Sequence, residues 1–243
     1  MDYFGKSNLD FSDFKRTLPK DIANDEEKIK YIKCLYRKIY LLNLLKNRSE
    51  LADKTCNNYF KVSFSCILES FHLFINKDLR AAYLVLRVSI ESYLKFVLLN
   101  FINNYNLKHK VNERNFSINY DLLIDILSDK KELDCFNIEH SLEVFSNYYS
   151  RLSSLAHANT NLIDNFNPEY LFEIPCHSEK IFKEFYNIFK TLVELYAKLL
   201  IPICLNSFVN WDLIVLKRIL KVGLSNKAIN DIINNILEAK KYF

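Results

Sequence analysis

Glycine is almost absent from this 243-residue chain, which contains only Gly5 and Gly223. Glycine supplies the positive φ angles of tight β-hairpins and the close backbone approach of phosphate-binding loops. Gly-rich nucleotide-binding loops are therefore excluded. Proline is scarce as well, and residues 20–167 contain none that would break a helix. Half of the residues are hydrophobic, which argues against disorder. The scarcity of glycine and proline predicts an all-α fold.

Paired cysteines are also missing. The six cysteines are scattered, and no two have the close spacing of a zinc knuckle or a redox pair. Cys176 and His177 are adjacent, but His72, His109 and His140 have no acid or cysteine at a typical metal-ligand spacing. We expect reduced, buried thiols, no metal and no cofactor.

Long uninterrupted hydrophobic runs are not present either. The most apolar stretches, residues 81–102 and 191–205, each contain charged residues that a bilayer core would not accommodate comfortably. The start of the chain has no basic region followed by an apolar run, which argues against a secretory signal. We expect a cytoplasmic protein without a membrane partner. The net charge of +4 permits RNA binding without requiring it.

Apolar periodicity and capping residues predict a chain of helices joined mostly by short turns. Three parts are expected: an irregular N-terminal segment at 1–22, a helical bundle at 23–208, and a C-terminal helical hairpin at 209–243 packed on the same domain. The predicted helices span about 24–47, 49–74, 79–103, 117–127, 138–158, 178–201, 210–222 and 226–240. Ser117 and Ser178 are the expected caps of the fourth and sixth helices. The sixth helix is expected to end at about Ile201 or to continue beyond Pro202. Short turns favour antiparallel neighbours, and so an up-and-down antiparallel bundle with extra C-terminal helices.

The fifth predicted helix carries two side chains that can act on a phosphodiester without a metal. Arg151 and His157 stand near its C-terminal end, separated by five residues. A guanidinium is a permanent, bidentate phosphate ligand. An imidazole with a pKa near 6.5 can take or give a proton at neutral pH. This pair is the candidate catalytic centre.

The segment Arg151-Leu152-Ser153-Ser154-Leu155-Ala156-His157 resembles the motif of the HEPN superfamily, an arginine and a histidine separated by four to six residues. HEPN proteins are helical bundles of prokaryotic toxin, antiphage and CRISPR systems. The segment Leu86-Arg87-Val88-Ser89-Ile90-Glu91 is similar to an Arg/Glu-bearing helix of several HEPN-type families. The resemblance covers residues 25–205. It implies an endoribonuclease in which two copies of the Arg/His motif meet at a homodimer interface and cleave RNA without a metal.

The chemistry that the resemblance implies is physically reasonable. One imidazole would withdraw the ribose 2′-hydroxyl proton while the 2′-oxygen attacks phosphorus, and the arginine would stabilise the charge on the phosphoryl oxygens. The product would be a 2′,3′-cyclic phosphate. DNA lacks the 2′-hydroxyl nucleophile, so specificity for RNA would follow from the reaction. A second His157 from another copy is the candidate acid for the leaving group.

Helix geometry bears on how the pair is assembled. Six positions of an ideal α-helix place Arg151 and His157 about 120° apart around the axis and about 9 Å apart along it. Either the helix breaks near His157, or the arginine side chain swings round, or the site is completed across a dimer. Completion across a homodimer is the simplest solution and is our prediction.

Residues around the pair are candidate supporting or RNA-binding groups. They are Ser153, Ser154, Asn159, Arg87, Glu91 and Tyr148. The two serines could donate hydrogen bonds, or could be small residues at a close helix crossing. Tyr148 could stack on a base or belong to the core. Arg80, Arg87, Glu91 and Lys95 fall along one stripe of a helix. This stripe is either a solvated face or a group that orients the catalytic pair or contacts RNA.

Two classes of function follow. The first is a metal-independent RNase, acting as a toxin or antiphage effector with RNA as substrate and with an antitoxin or defence-system protein as a possible partner. The second is a catalytically inactive HEPN-like module that binds nucleotide, RNA or a protein. Leu152 motivates the second class, because active family members usually have a polar residue after the motif arginine. A structural subunit of a larger complex is a third, plainer reading.

Overall fold

The structure is a computed structural model that describes residues 2–156 and 179–242. All regular secondary structure in these ranges is helical, which confirms the expected all-α class. The α-helices are α1 (Tyr3–Lys15), α2 (Lys20–Ala23), α3 (Glu26–Lys46), α4 (Ala52–Thr55), α5 (Asn58–Ile75), α6 (Leu79–Asn104), α7 (Phe116–Leu127), α8 (Ile138–Ala156), α9 (Glu179–Ile203), α10 (Leu205–Phe208), α11 (Leu213–Leu220) and α12 (Asn226–Ala239). Short 3₁₀ helices lie at Ser49–Leu51, Lys131–Phe136 and Lys240–Tyr242.

Helices α5 and α6 form an antiparallel hairpin. The turn between them includes Lys77 in the left-handed region at φ 68°, and the Asp78 side chain then caps α6. Buried hydrogen bonds join the helices. Ser70 Oγ donates to the Ala82 carbonyl at 2.8 Å, and Ser63 Oγ donates to the Ser89 carbonyl at 3.0 Å. These small side chains allow the two backbones to approach closely.

Helix α6 is the centre of the bundle and packs against α5, α7, α8 and α9. Every residue from Tyr93 to Leu98 is buried. Because successive helical residues are separated by 100° around the axis, such a run means that α6 is enclosed on all sides. The Tyr93 hydroxyl donates to the Tyr196 carbonyl of α9, and the Tyr196 hydroxyl bonds to Ser89 Oγ at 2.9 Å. The polar groups of the core are thereby paired with one another.

A buried ion pair links α3, α9 and the C-terminal hairpin. Lys38 of α3 is almost fully buried, and its Nζ contacts Glu194 Oε1 of α9 at 2.5 Å. The same ammonium donates to the Gly223 carbonyl at 2.7 Å. Gly223 lies in the turn before α12, where a Cβ atom would come within 3.0 Å of the Leu41 Cβ and 3.1 Å of the Arg37 carbonyl oxygen. The close approach of this turn to α3 therefore requires glycine.

Residues 1–22, expected to be irregular, are largely helical. The Asp2 side chain accepts a hydrogen bond from the Gly5 amide at 2.9 Å and caps α1. Phe11 is buried, with its ring 5.3 Å from that of Tyr36 in α3. The prediction was wrong because the polar composition of this segment concealed a few aromatic residues whose packing on α3 stabilises the helix.

The single helix predicted over 49–74 is divided into a 3₁₀ turn, α4 and α5. The break falls at Cys56 and Asn57. The Asn57 side chain accepts a hydrogen bond from the Tyr59 amide at 2.7 Å, which caps a new helix. Asparagine side chains compete in this way with the continuing helical hydrogen bonds, and this is the physical reason for the break.

The part of the chain that precedes α8 also differs from the prediction. α7 is capped by Asn115, which accepts from the Ile118 amide at 3.2 Å, and not by Ser117. A 3₁₀ helix that the sequence did not predict precedes α8, and it ends at Asn137 in the left-handed region at φ 48°. Asparagine tolerates this conformation better than most residues. α8 then begins at Ile138, as predicted.

Helix α9 continues through Pro202 to Ile203, the longer of the two expected ends. α11 packs against α1 and α3, while α12 packs against α11 and the 3₁₀ helix at Lys131–Phe136. The buried side chains of the hairpin therefore belong to the same hydrophobic cluster as those of the bundle. Within residues 2–156 and 179–242, none of the helices combines the length and apolar character needed to cross a bilayer.

Candidate functional site

Helix α8 presents Arg151 at the edge of its buried face. Leu142, Phe145 and Leu152 are fully buried at a helical spacing and fix the orientation of α8 on α6. Arg151 immediately precedes Leu152, so its side chain emerges beside the core, with 45% of its surface exposed. Leu152, the apolar residue that follows the arginine, is thus a packing residue in this chain.

The guanidinium of Arg151 is paired with a carboxylate on the neighbouring helix. Its Nη2 contacts Glu184 Oε1 of α9 at 2.5 Å. The buried Tyr83 of α6 lies close to this pair. Burial raises the pKa of the Tyr83 hydroxyl, and the Glu184 carboxylate raises it further while Arg151 opposes the shift. Tyr83, Arg151 and Glu184 therefore form one electrostatic group between α6, α8 and α9.

The other half of the predicted catalytic pair, His157, lies outside the described residues, as does Asn159. α8 is a regular helix up to Ala156. A helix break between Arg151 and Ala156 is thereby excluded as the way of uniting the pair. The pair could still be united in other ways: by a change of direction at His157, by a swing of the arginine side chain, or by completion of the site by a second copy of the chain.

Arg87 and Ser153, both candidate supporting residues, are brought together. Arg87 Nε donates to Ser153 Oγ at 2.8 Å, and Nη2 donates to the Tyr149 hydroxyl at 2.8 Å. The Arg87 guanidinium also lies over the Tyr149 ring, 4.8 Å from its centroid. The Tyr149 ring in turn stacks on Phe116 of α7 at 3.8 Å. Arg87 therefore joins α6, α7 and α8, and it contacts α8 two residues before and two residues after Arg151.

Glu91 does not pair with Arg87. Its Oε1 lies 3.1 Å from Lys95 Nζ, and Lys95 also donates to the Glu113 carbonyl at 2.6 Å. Lys95 is buried and Arg87 is half-buried. The reading of this stripe as a simple solvated face is therefore wrong, because α7, α8 and the loop before α7 cover part of it.

The remaining candidates have local or packing contacts. Ser154 Oγ donates to the Ser150 carbonyl at 3.0 Å, a bond within α8. Tyr148 is half-buried and packs against the hydrophobic cluster. The contacts of Tyr148 favour its interpretation as a core residue. Ser154 lies on the same helix as Arg151, three positions after it, and its hydrogen bond stays within α8.

The opposite end of α8 is acidic. A cleft of about 700 Å³ is lined there by Asp121 and Asp125 of α7 and by Glu139, His140 and Glu143 of α8. Glu143 lies eight residues, roughly 12 Å, before Arg151 along the helix. Carboxylates repel a phosphate backbone. A polyanion bound at Arg151 would therefore extend away from this cleft, towards α9.

No group of three or more histidine, cysteine, aspartate or glutamate side chains in the described ranges is arranged to hold a metal ion. Sequence reasoning missed two residues of the site, Glu184 and Tyr83. Glu184 is 33 positions from Arg151, and Tyr83 lies in an apolar helix that gives no local sign of a polar neighbour. The helical spacing of α9 does place Glu184 beside the buried Phe185, and this was the available signal. Comparison of the chain with protein-family models, curated proteins and solved structures finds no match.

Proposed function

We propose that this chain is a metal-independent endoribonuclease of HEPN type, acting as a toxin or antiphage effector. The observation that carries the proposal is the placement of Arg151. Its guanidinium stands at the exposed edge of α8, and its carboxylate partner is one that a phosphate can replace. His157 follows α8 directly in the sequence.

The proposed reaction is an internal transesterification. His157 removes the proton from a ribose 2′-hydroxyl, and the 2′-oxygen forms a bond to the adjacent phosphorus as the bond from phosphorus to the 5′-oxygen breaks. Arg151 stabilises the phosphoryl oxygens after exchanging Glu184 for the phosphate. His157 of a second copy protonates the departing 5′-oxygen. The products are a 2′,3′-cyclic phosphate and a 5′-hydroxyl.

A homodimer belongs to the proposal because one straight helix does not bring Arg151 and His157 to the same face. Light scattering on the purified protein measures its mass in solution, and a mass near twice 28.9 kDa is expected for the dimer. An antitoxin or a defence-system protein would act by covering this site or by separating the two copies.

The test of catalysis is incubation of the purified protein with total RNA in the presence of EDTA. Arg151→Ala and His157→Ala should each abolish cleavage, and mass spectrometry should find 2′,3′-cyclic phosphate ends in the wild-type products. Arg16→Ala is the matched control, because Arg16 is an exposed arginine of α1 that is also ion-paired to a carboxylate. Cleavage that survives in both site variants, with unchanged circular dichroism, would refute the assignment.

The alternative is an inactive helical module that binds nucleotide, RNA or a protein at the same place. It is favoured by the pairing of Arg151 with Glu184 and by the packing role of Leu152. Such a module binds RNA without turnover, with an affinity that falls as salt is raised. Binding by both wild type and His157→Ala without cyclic-phosphate product would select this alternative.

A further inference from the structure

A second cavity lies far from Arg151, where α9 ends. Its volume is about 390 Å³, and its walls come from α4, the C-terminal end of α6, the junction of α9 and α10, and the two 3₁₀ helices that follow α7 and α12. The volume is within the range of small-molecule sites. Ile203 on this wall is 19 residues from Glu184, roughly 28 Å along α9. The cavity is therefore separate from the candidate nuclease site.

A lysine is held in a fixed position on the cavity wall. Lys54 Nζ donates to Asn104 Oδ1 at 2.6 Å, and Asn104 Nδ2 donates to the Ile203 carbonyl at 3.1 Å. The second bond fixes which way the Asn104 amide points, and so it directs the amide oxygen towards the lysine. An ammonium has three protons, and this contact uses one. Two donors of Lys54 are left for a ligand.

The cavity has no negative charge to offset this lysine. None of its described lining residues is an aspartate or a glutamate, and Lys54 forms no ion pair with a carboxylate in the described part of the chain. A second ammonium, that of Lys130, lies 4.1 Å from the centroid of the Tyr105 ring, which lines the cavity. Two ammonium groups therefore lie at or beside this wall.

Much of the rest of the wall is apolar or already hydrogen-bonded, and the polar side chains of Asn206 and Tyr242 also line it. Leu133, Ile203 and Leu205 are buried apolar residues. Burial raises the pKa of the Cys204 thiol to about 12, so this wall residue is neutral at physiological pH. Ser207 Oγ donates its proton to the Glu50 carbonyl at 2.9 Å. Among the described lining residues, Lys54 is the one cationic donor that an anionic group entering the cavity would meet.

We propose that this cavity binds a small anionic molecule with an apolar or aromatic body and one carboxylate or phosphate group. The anionic group contacts the two open donors of Lys54 and replaces the water that solvates them. The body packs against Tyr105, Ile203 and Leu205. The proposal does not depend on nuclease activity, because none of these residues belongs to the Arg151 site.

The test is a titration of the ¹⁵N-labelled full chain, followed by amide chemical shifts, with benzoate, phenyl phosphate and neutral benzamide as probes. Saturable shifts centred on Asn104, Cys204 and Ser207 are expected for at least one anion. Benzamide should bind about ten-fold more weakly, because it cannot form a charge-assisted hydrogen bond with the ammonium. The stronger of the two anions identifies the class of head group.

Lys54→Gln should remove the preference for the anion while leaving the spectrum folded. Lys61→Gln is the matched control, since Lys61 is an exposed lysine of α5 that does not line the cavity. Arg151→Ala should bind the probes like wild type. Absence of saturable shifts with both anions at about 10 mM, or an anion preference that is unchanged in Lys54→Gln, would overturn the proposal.

Discussion

Arg151 and Glu184 neutralise each other at the junction of α8 and α9, so an RNA phosphate has to compete with a carboxylate for the guanidinium. Both side chains are partly exposed, and an ion pair of this kind contributes about 0.2–1 kcal/mol. This is small compared with the contribution of a phosphate bound by a bidentate arginine. In the proposed nuclease, Glu184 would therefore weaken RNA binding without preventing it.

Glu184→Gln is expected to tighten RNA binding by up to about five-fold, because the substitution removes the competing negative charge. The measurement is fluorescence anisotropy with a short labelled RNA, in a His157→Ala background that prevents cleavage. Glu179→Gln is the control, since Glu179 lies on the same helix and contacts Lys183 instead of Arg151. An equal gain from both substitutions, or a gain that persists when Arg151 is also replaced, would contradict this account.

Arg87 makes a different kind of contribution, because its guanidinium donates to two side chains of α8. Arg87→Ala removes hydrogen bonds to Ser153 and Tyr149 and the contact with the Tyr149 ring. We expect the free energy of unfolding to fall by about 2–3 kcal/mol, measured by urea denaturation. Arg87→Lys should recover less than half of this loss, since an ammonium cannot reproduce the planar fork. If Arg87→Lys recovered all of the lost free energy of unfolding, the positive charge alone, and not the hydrogen bonds of the guanidinium, would account for the contribution of Arg87.

The sequence predicted the place of Arg151 but not its partners. An arginine beside Leu152 in an amphipathic helix lies at the edge of the buried face, and the apolar spacing of α8 shows this. Its partners Glu184 and Tyr83 depend on how α8 sits against α9 and α6, which is a tertiary property. Arg87 and Ser153 were both singled out, but their mutual hydrogen bond connects positions 66 residues apart.

At the scale of elements, Lys38 holds three separate parts of the chain together. Its ammonium contacts Glu194 of α9 and the Gly223 carbonyl before α12. Lys38→Met leaves both acceptors without their donor. Because Glu194 keeps some access to water, we expect a loss of about 2–3 kcal/mol in the free energy of unfolding, the lower end for broken buried pairs. Urea denaturation followed by circular dichroism gives the value.

Replacing both charges should be less harmful than replacing one. In Lys38→Met with Glu194→Leu, no uncompensated carboxylate is left, and part of the lost stability should return. Lys30→Met, an exposed lysine on the same helix, should change the stability by less than about 0.5 kcal/mol. A double variant that is as unstable as the sum of the two single variants would show that the charges do not interact.

Long helices with clear caps were predictable, and short or tertiary-stabilised ones were not. The Asp25 and Asp78 caps and a strong apolar pattern locate α3 and α6 within a residue or two. α1 was missed because its stability comes from Phe11 packing on Tyr36 of α3 and not from local propensity. The break at Asn57 was missed because asparagine occurs in helices as well as at their starts, and only the backbone shows which role it has.

At the scale of the whole molecule, the core buries ionisable hydroxyl and thiol groups in their neutral forms. Burial raises the pKa values of the Tyr93 and Tyr196 hydroxyls well above their ordinary range, and it raises the pKa of the Cys204 thiol to about 12. Both hydroxyls lie in the layer between α6 and α9, where they are hydrogen-bonded. This layer is the part of the fold that is sensitive to alkaline pH.

In the unfolded chain these groups ionise near their ordinary pKa values, about 9 for cysteine and about 10 for tyrosine. Their folded-state pKa values are higher, so their contribution to stability is complete below about pH 9 and is lost as pH rises towards the folded values. Each such group removes about 1.4 kcal/mol per pH unit above its unfolded pKa. If the stability lies in the lower half of the usual range of about 5–15 kcal/mol, we expect unfolding between about pH 11 and 12.

Circular dichroism and absorbance at the tyrosinate band, recorded together from neutral to alkaline pH, test this. The helix content should stay constant until the buried hydroxyls begin to ionise. Ionisation of Tyr93 and Tyr196 should coincide with the loss of helix, since their anions are not accommodated in the core. Cys204→Ala removes one of the coupled groups and should make the alkaline loss of stability less steep. Ionisation of every tyrosine near pH 10 with the helix content intact would show that water reaches the layer between α6 and α9.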